Sequence, residues 1–139
     1  MILSNFGEVK YSSHDRRWFG NVLNISPHNK VELSIPVENK DEDLQAKITL
    51  IEEFAAEYES IMKILYDFAY KKYEGTQYEV KRVEVETMYC LIGVELEQDN
   101  RTWNLILEPH FNVHSIYNHY LRFTMIDKNI IWPVFTIEE

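Results

Sequence analysis

Three of the chain's five histidines stand close together, in Glu108-Pro109-His110-Phe111-Asn112-Val113-His114-Ser115-Ile116-Tyr117-Asn118-His119. On a helix, His110 and His114 would share a face, and with His119 they could offer three imidazoles to zinc or iron. Pro109 and the two asparagines make the stretch loop-like, so the four-residue spacing has no fixed geometry. No carboxylate stands between His110 and His114, where a metalloprotease helix carries its general base. The balance favours loop histidines with structural hydrogen bonds. The reading is therefore no metal, no cofactor and no catalytic residue. His14 and His28 stand among turn-forming residues and carry less weight still.

Carboxylates are the other reactive groups in quantity. Pairs occur at Glu52-Glu53, Glu57/Glu59, Glu84/Glu86 and Glu95/Glu97. Two carboxylates forced together can divide into acid and base, but on helix and strand surfaces they are usually solvated. The spacing of Glu84/Glu86 and of Glu95/Glu97 predicts two charges on one strand face, suited to receiving a basic surface. These four, with Asp99 in the adjoining turn, are the candidate partner-binding residues. Cys90 is the single cysteine. In Met88-Tyr89-Cys90-Leu91-Ile92 it reads as a buried small hydrophobe rather than a nucleophile. There is no phosphate-binding Gly-rich loop, no Gly-x-Ser-x-Gly elbow, no Cys-x-x-Cys and no dinucleotide fingerprint. Arg16-Arg17-Trp18 reads as the start of a strand.

The elements that position these residues follow from periodicity. Val31, Leu33, Ile35 and Val37 alternate with polar residues or Pro36, a half-buried strand near a sheet edge or end. Trp18–Ile25 predicts a second strand, Ser26-Pro27-His28-Asn29 a turn, and Phe6–Tyr11 a third strand. Asp41 or Asp43 then caps a helix. Its apolar stripe runs Leu44, Ile48, Ile51, Ala55, Tyr58, Met62, Leu65 and Ala69, and it ends by Lys71, Lys72 and Gly75. This is one long helix or two broken near residues 57–60. A hairpin follows, with Leu96 opposite Trp103, Val94 opposite Leu105 and Ile92 opposite Leu107, around the turn at 98–101. Glu95, Glu97 and Asn104 then share the other face. Leu121–Ile126 and Ile130–Trp132 form a last hairpin around Asp127-Lys128-Asn129. The fold class is α+β: an antiparallel sheet of about six to eight strands with one long or two shorter central helices on one face. Residues 1–139 make a single domain.

A net charge of −9 opposes phosphate backbones and anionic lipid and attracts basic proteins, although acidity also serves solubility alone. No signal peptide or span of ~20 apolar residues is evident. The expectation is a cytoplasmic protein with no nucleic-acid or membrane partner. The excess of Tyr and Trp suits an interface but is more commonly core packing.

Phe6-Gly7-Glu8-Val9-Lys10-Tyr11, Trp18-Phe19-Gly20-Asn21-Val22, the Val31–Val37 strand, Leu91-Ile92-Gly93-Val94 and Leu105-Ile106-Leu107 together resemble small bacterial proteins of unknown function. That group includes immunity proteins of polymorphic and contact-dependent growth-inhibition toxins. The resemblance implies a non-enzymatic protein that neutralises a cognate, basic toxin, such as a nuclease, by occluding its active site. The alternatives are a structural or regulatory interaction module, including a homodimer, and a metal-dependent enzyme built on the histidine cluster.

Overall fold

The computed structural model describes residues 2–3, 7–22, 30–109 and 119–137. A short ribbon, β1 (Ile2–Leu3) with β2 (Gly7–Glu8), precedes the main sheet. The main sheet begins with β3 (Lys10–Ser12), β4 (Arg17–Val22) and β5 (Val31–Pro36). Three helices come next: α1 (Gln45–Ala56), α2 (Tyr58–Tyr73) and α3 (Arg82–Met88). The sheet is completed by β6 (Tyr89–Leu96), β7 (Thr102–Pro109), β8 (Tyr120–Ile126) and β9 (Asn129–Ile137). The seven strands lie in chain order from β3 to β9. The α+β class and the single helical layer agree with the sequence pattern.

One strand pair departs from the expected antiparallel sheet: β5 and β6 run parallel, with Leu33 beside Val94. The helical segment returns the chain to the end where β5 began, and such a crossover makes neighbouring strands parallel. The helix stripe is broken at Glu57, so it forms two helices. Neither aspartate is the cap: Leu44 stands at the N-cap of α1 with no side-chain cap bond, Asp43 Oδ1 accepts the Gln45 N–H at 3.0 Å from one residue earlier, and the Asp41 N–H donates to Asn39 Oδ1. Lys71 and Lys72 fill the last turn of α2, and Gly75 follows at φ +78°, a backbone state that glycine adopts without strain.

The 6–11 stretch forms two short strands instead of one, parting at Val9, with Phe6 outside the described residues. Residues 23–29, which hold the rest of the expected second strand, the Ser26–Asn29 turn and His28, also lie outside them. In the central hairpin, Leu96 faces Trp103 and Val94 faces Leu105 as the alternation predicts. Ile92 does not face Leu107: the register shifts there and Leu91 takes that place. An extra residue in one strand is a bulge, and it keeps Leu91 in the core where strict alternation would have turned it outward.

One face of the sheet is buried. Leu33, Ile35, Leu91, Val94, Leu105, Leu107, Leu121 and Phe123 are almost wholly inaccessible and meet Ile51, Phe54, Met62 and Leu65 from the helices. Each such side chain contributes about 1.5–3 kcal/mol by leaving water. Phe54 stacks on Trp103 with centroids 5.1 Å apart, and the Tyr66 hydroxyl donates to the Tyr89 carbonyl. Gly20 lets Val9 lie flat on β4, since a Cβ at Gly20 would stand 2.6 Å from Val9 Cγ1.

Candidate functional site

Alternation along β4–β8 sends a second set of side chains to the opposite face of the sheet. Arg17 pairs in register with Pro36, Ser34 with Phe19 and Glu95, Glu95 with Asn104, and Ile106 with Arg122. Arg17, Ser34, Glu95, Asn104, Ile106 and Arg122, with Glu32, Glu97 and Thr124, line a shallow groove of about 520 Å³. None of the three helices lies over this face.

The groove carries a built polar network. Arg17 Nη1 donates to Glu95 Oε2 at 2.8 Å and to Ser34 Oγ at 2.9 Å. Asn104 Nδ2 donates to Glu95 Oε1 at 3.0 Å and to Glu97 Oε1 at 2.9 Å. Both oxygens of Glu95 are therefore occupied, and its charge is offset by a guanidinium across the sheet, the two side chains being 32% and 27% exposed. Among the described residues one oxygen of Glu97 and the whole exposed carboxylate of Glu32 accept no hydrogen bond. These two carboxylates are the ones able to accept from an incoming donor. Arg122 lies over the Phe135 ring at 5.4 Å, placing a cation and an aromatic at the far side of the same face. Among the described residues the open face thus carries Glu32, Glu95, Glu97 and Glu108 with Arg17 and Arg122, and Glu8 and Lys10 lie together at its edge.

Glu95 and Glu97 occupy one face as expected. Glu84 and Glu86 do not: they lie on helix α3, where two residues apart means ~200° of rotation. Val83 and Val85 mimic strand alternation, but Val85 and Met88 are buried at helical spacing. Arg82 fastens that helix to α2 by donating to Asp67 at 2.6 Å and to the Lys63 carbonyl. Asp99 is a turn residue. Its carboxylate accepts the Arg101 and Thr102 N–H groups and the Thr102 hydroxyl, which together hold its pKa down at about 2.

Cys90 is half-buried, not fully buried, because it follows Tyr89 onto the open face and sits opposite Glu108. Burial first, and then the Glu108 charge, raise its thiol pKa, which opposes a nucleophilic role. His14 is exposed in a turn, and His119 is half-buried just before β8. His110 and His114 lie outside the described residues. Among the described residues no three His, Cys, Asp or Glu side chains gather as a metal site.

Sequence reasoning missed Arg17 and Ser34 as members of the face. The signal was present in the strand phases of β4 and β5, but the pairing that joins Arg17 to Glu95 spans two strand boundaries. It also missed Lys47, which is 3% exposed on α1. Its Nζ donates to the Glu97 and Gln98 carbonyls and, at 2.6 Å, to Asn100 Oδ1, locking the β6–β7 turn. Burial lowers its pKa, with Glu42 and Asp99 acting the other way.

No helix among the described residues is long and apolar enough to cross a membrane. No family model, curated protein or solved structure matches the chain.

Proposed function

We propose that this chain is a partner-binding protein that acts by occlusion, with no reaction of its own. In its most concrete form it is a cytoplasmic immunity protein that covers the active site of a basic toxin. The observation that carries the reading is the sheet face that no described helix covers, with the hydrogen-bonded Arg17–Ser34–Glu95–Asn104–Glu97 network at its centre. A prearranged polar surface loses little side-chain entropy on docking. Glu32 and the free oxygen of Glu97 supply acceptors for lysine or arginine, and the net charge of −9 speeds encounter with a cationic protein.

The test is calorimetry between this protein and the C-terminal domain encoded by the gene immediately upstream, at two salt concentrations. Binding that weakens with salt, and weakens further in the Glu32→Gln/Glu97→Gln double variant but not in Glu84→Gln, supports the reading. No binding at micromolar concentration rejects that toxin. Binding reduced only by Glu84→Gln rejects the face.

A second reading, an interaction module that pairs with its own copy, rests on β9. This last strand of the described sheet exposes Ile131, Trp132 and Phe135 at 42%, 44% and 48%. Apolar side chains exposed on an outer strand favour association, here on both faces: Trp132 lies against Phe68 of α2 and Phe135 under Arg122. Light scattering decides it: a concentration-independent monomer mass removes the homodimer.

A further inference from the structure

A separate pocket of about 190 Å³ opens where the α1–α2 break meets the turns at the end of the sheet, and it shares no lining residue with the open face. Its walls are apolar: the stacked Phe54 and Trp103 rings, Met125, Ile61 and Leu50. An apolar cavity of ~150 Å³ accommodates benzene, so this one has room for a single six-membered ring and a short arm.

The mouth is charged, and its charges do not cancel. Arg101 forms a two-pronged pair with Asp127, at 2.7 Å for Nη2 and 3.1 Å for Nε to Oδ2. Lys128 Nζ lies 3.0 Å from Glu57 Oε1, linking the β8–β9 turn to the helix break. Both cations are thereby matched. Glu53, exposed on α1 at the same mouth, makes no close ion pair among the described residues but acts on Lys128 from farther off, so Glu53, Glu57 and Asp127 outnumber Lys128 and Arg101 by one charge. Asp127 and Lys128 both hold positive φ, at 55° and 95°, unusual for non-glycine residues, so this rim is fixed in a strained turn.

We propose that the pocket binds an arylalkylamine: a monocyclic aromatic ring against Phe54 and Trp103, joined by a short arm to a protonated amine at Glu53. An apolar ring alone would forgo the carboxylate, and an arylalkyl carboxylate would meet it as a like charge. This inference is independent of the reading of the sheet face.

The experiment is an NMR titration of the full chain with 2-phenylethylamine and, separately, with phenylacetate, following the Trp103 indole N–H and the Met125 methyl. The expected result is saturable shifts of both signals with the amine, with a Kd on the order of 1 mM for so small a ligand. Phenylacetate is expected to bind at least about fivefold more weakly, as placing an attractive rather than a repulsive charge at an exposed site implies. Glu53→Gln should bring the two ligands to within about twofold of each other, since it removes the charge that separates them. Leu50→Trp, which fills the mouth from a half-buried helix position, should abolish binding while leaving the circular dichroism unchanged. Equal affinity for both ligands overturns the proposal, as does full amine binding in Glu53→Gln. So does the absence of shifts at Trp103 and Met125, whether or not the signals of Trp132 move. If Leu50→Trp disturbs the fold, the Glu53→Gln comparison decides alone.

Discussion

Replacing Lys47 with methionine tests whether a buried ammonium holds the β6–β7 turn. Methionine keeps most of the apolar stem, so the change isolates the head group. Three hydrogen bonds from Nζ disappear, to Glu97 O, Gln98 O and Asn100 Oδ1. Bonds from a charged donor contribute ~1.5–3 kcal/mol each, a gross loss of about 5–9 kcal/mol. Against this stands the cost of keeping an ammonium out of water, several kcal/mol per buried ion. The orphaned acceptors fare unequally. Gln98 is exposed and water can replace the amine there, and Glu97 O still accepts the Asn100 N–H at 3.1 Å. The net expectation is a loss of about 2 kcal/mol. With a urea slope of ~2 kcal/mol/M, the midpoint falls by about 1 M.

The pH dependence has a definite sign. Burial lowers the folded-state pKa below 10.5, so as pH approaches 10.5 the unfolded chain holds the proton more tightly than the folded one. The wild-type advantage over Lys47→Met therefore grows as pH rises through the lowered folded pKa towards 10.5. Urea unfolding at neutral and alkaline pH measures both effects. A variant as stable as the parent would refute the reasoning: the desolvation cost would then equal the bonds, and Asp99 would hold the turn unaided.

Gly20→Ala places a methyl against Val9 Cγ1 and the Glu8 carbonyl and should destabilise by about 1–3 kcal/mol, read by denaturant unfolding. An unchanged midpoint would mean that the β2–β3 segment moves freely. Tyr66 has its pKa pushed up to about 12, chiefly by burial and then by Tyr58, so the folded state keeps the proton that the unfolded chain releases near 10. Its stabilising contribution is intact below pH 10 and is lost as pH rises from 10 towards 12. Tyr66→Phe should flatten that part of the alkaline stability curve. The Cys90 thiol should react with a disulfide reagent at pH 8 more slowly than a free cysteine, and reach the free rate on unfolding.

Much of the fold was legible because the buried face repeats with period two in β5, β7 and β8, and with helical period in α1 and α2. The Leu96–Trp103 register followed from that pattern alone. The bulge at Ile92 did not, since an extra residue in an apolar run leaves no mark in composition. The Glu84/Glu86 pair misled for a related reason: a seven-residue helix rich in valine carries too few turns to outweigh β-branched alternation. At the site, Glu95 and Glu97 could be placed because their own hairpin is local. Arg17 is distant in sequence, and the β4–β5 pairing and the parallel β5–β6 contact together bring it to 2.8 Å from Glu95.

That parallel contact also sets a timetable for synthesis. Residues 37–88 separate its two strands, so β5 leaves the ribosome roughly 3–10 s before β6 can cover it. The β6–β9 meander closes through neighbouring strands, each pairing with the one made just before it. In the interval, Val31, Leu33 and Ile35 face water along a strand whose future neighbour does not yet exist. This stretch is where a chaperone would bind, and where a pause in translation would expose the nascent chain to aggregation.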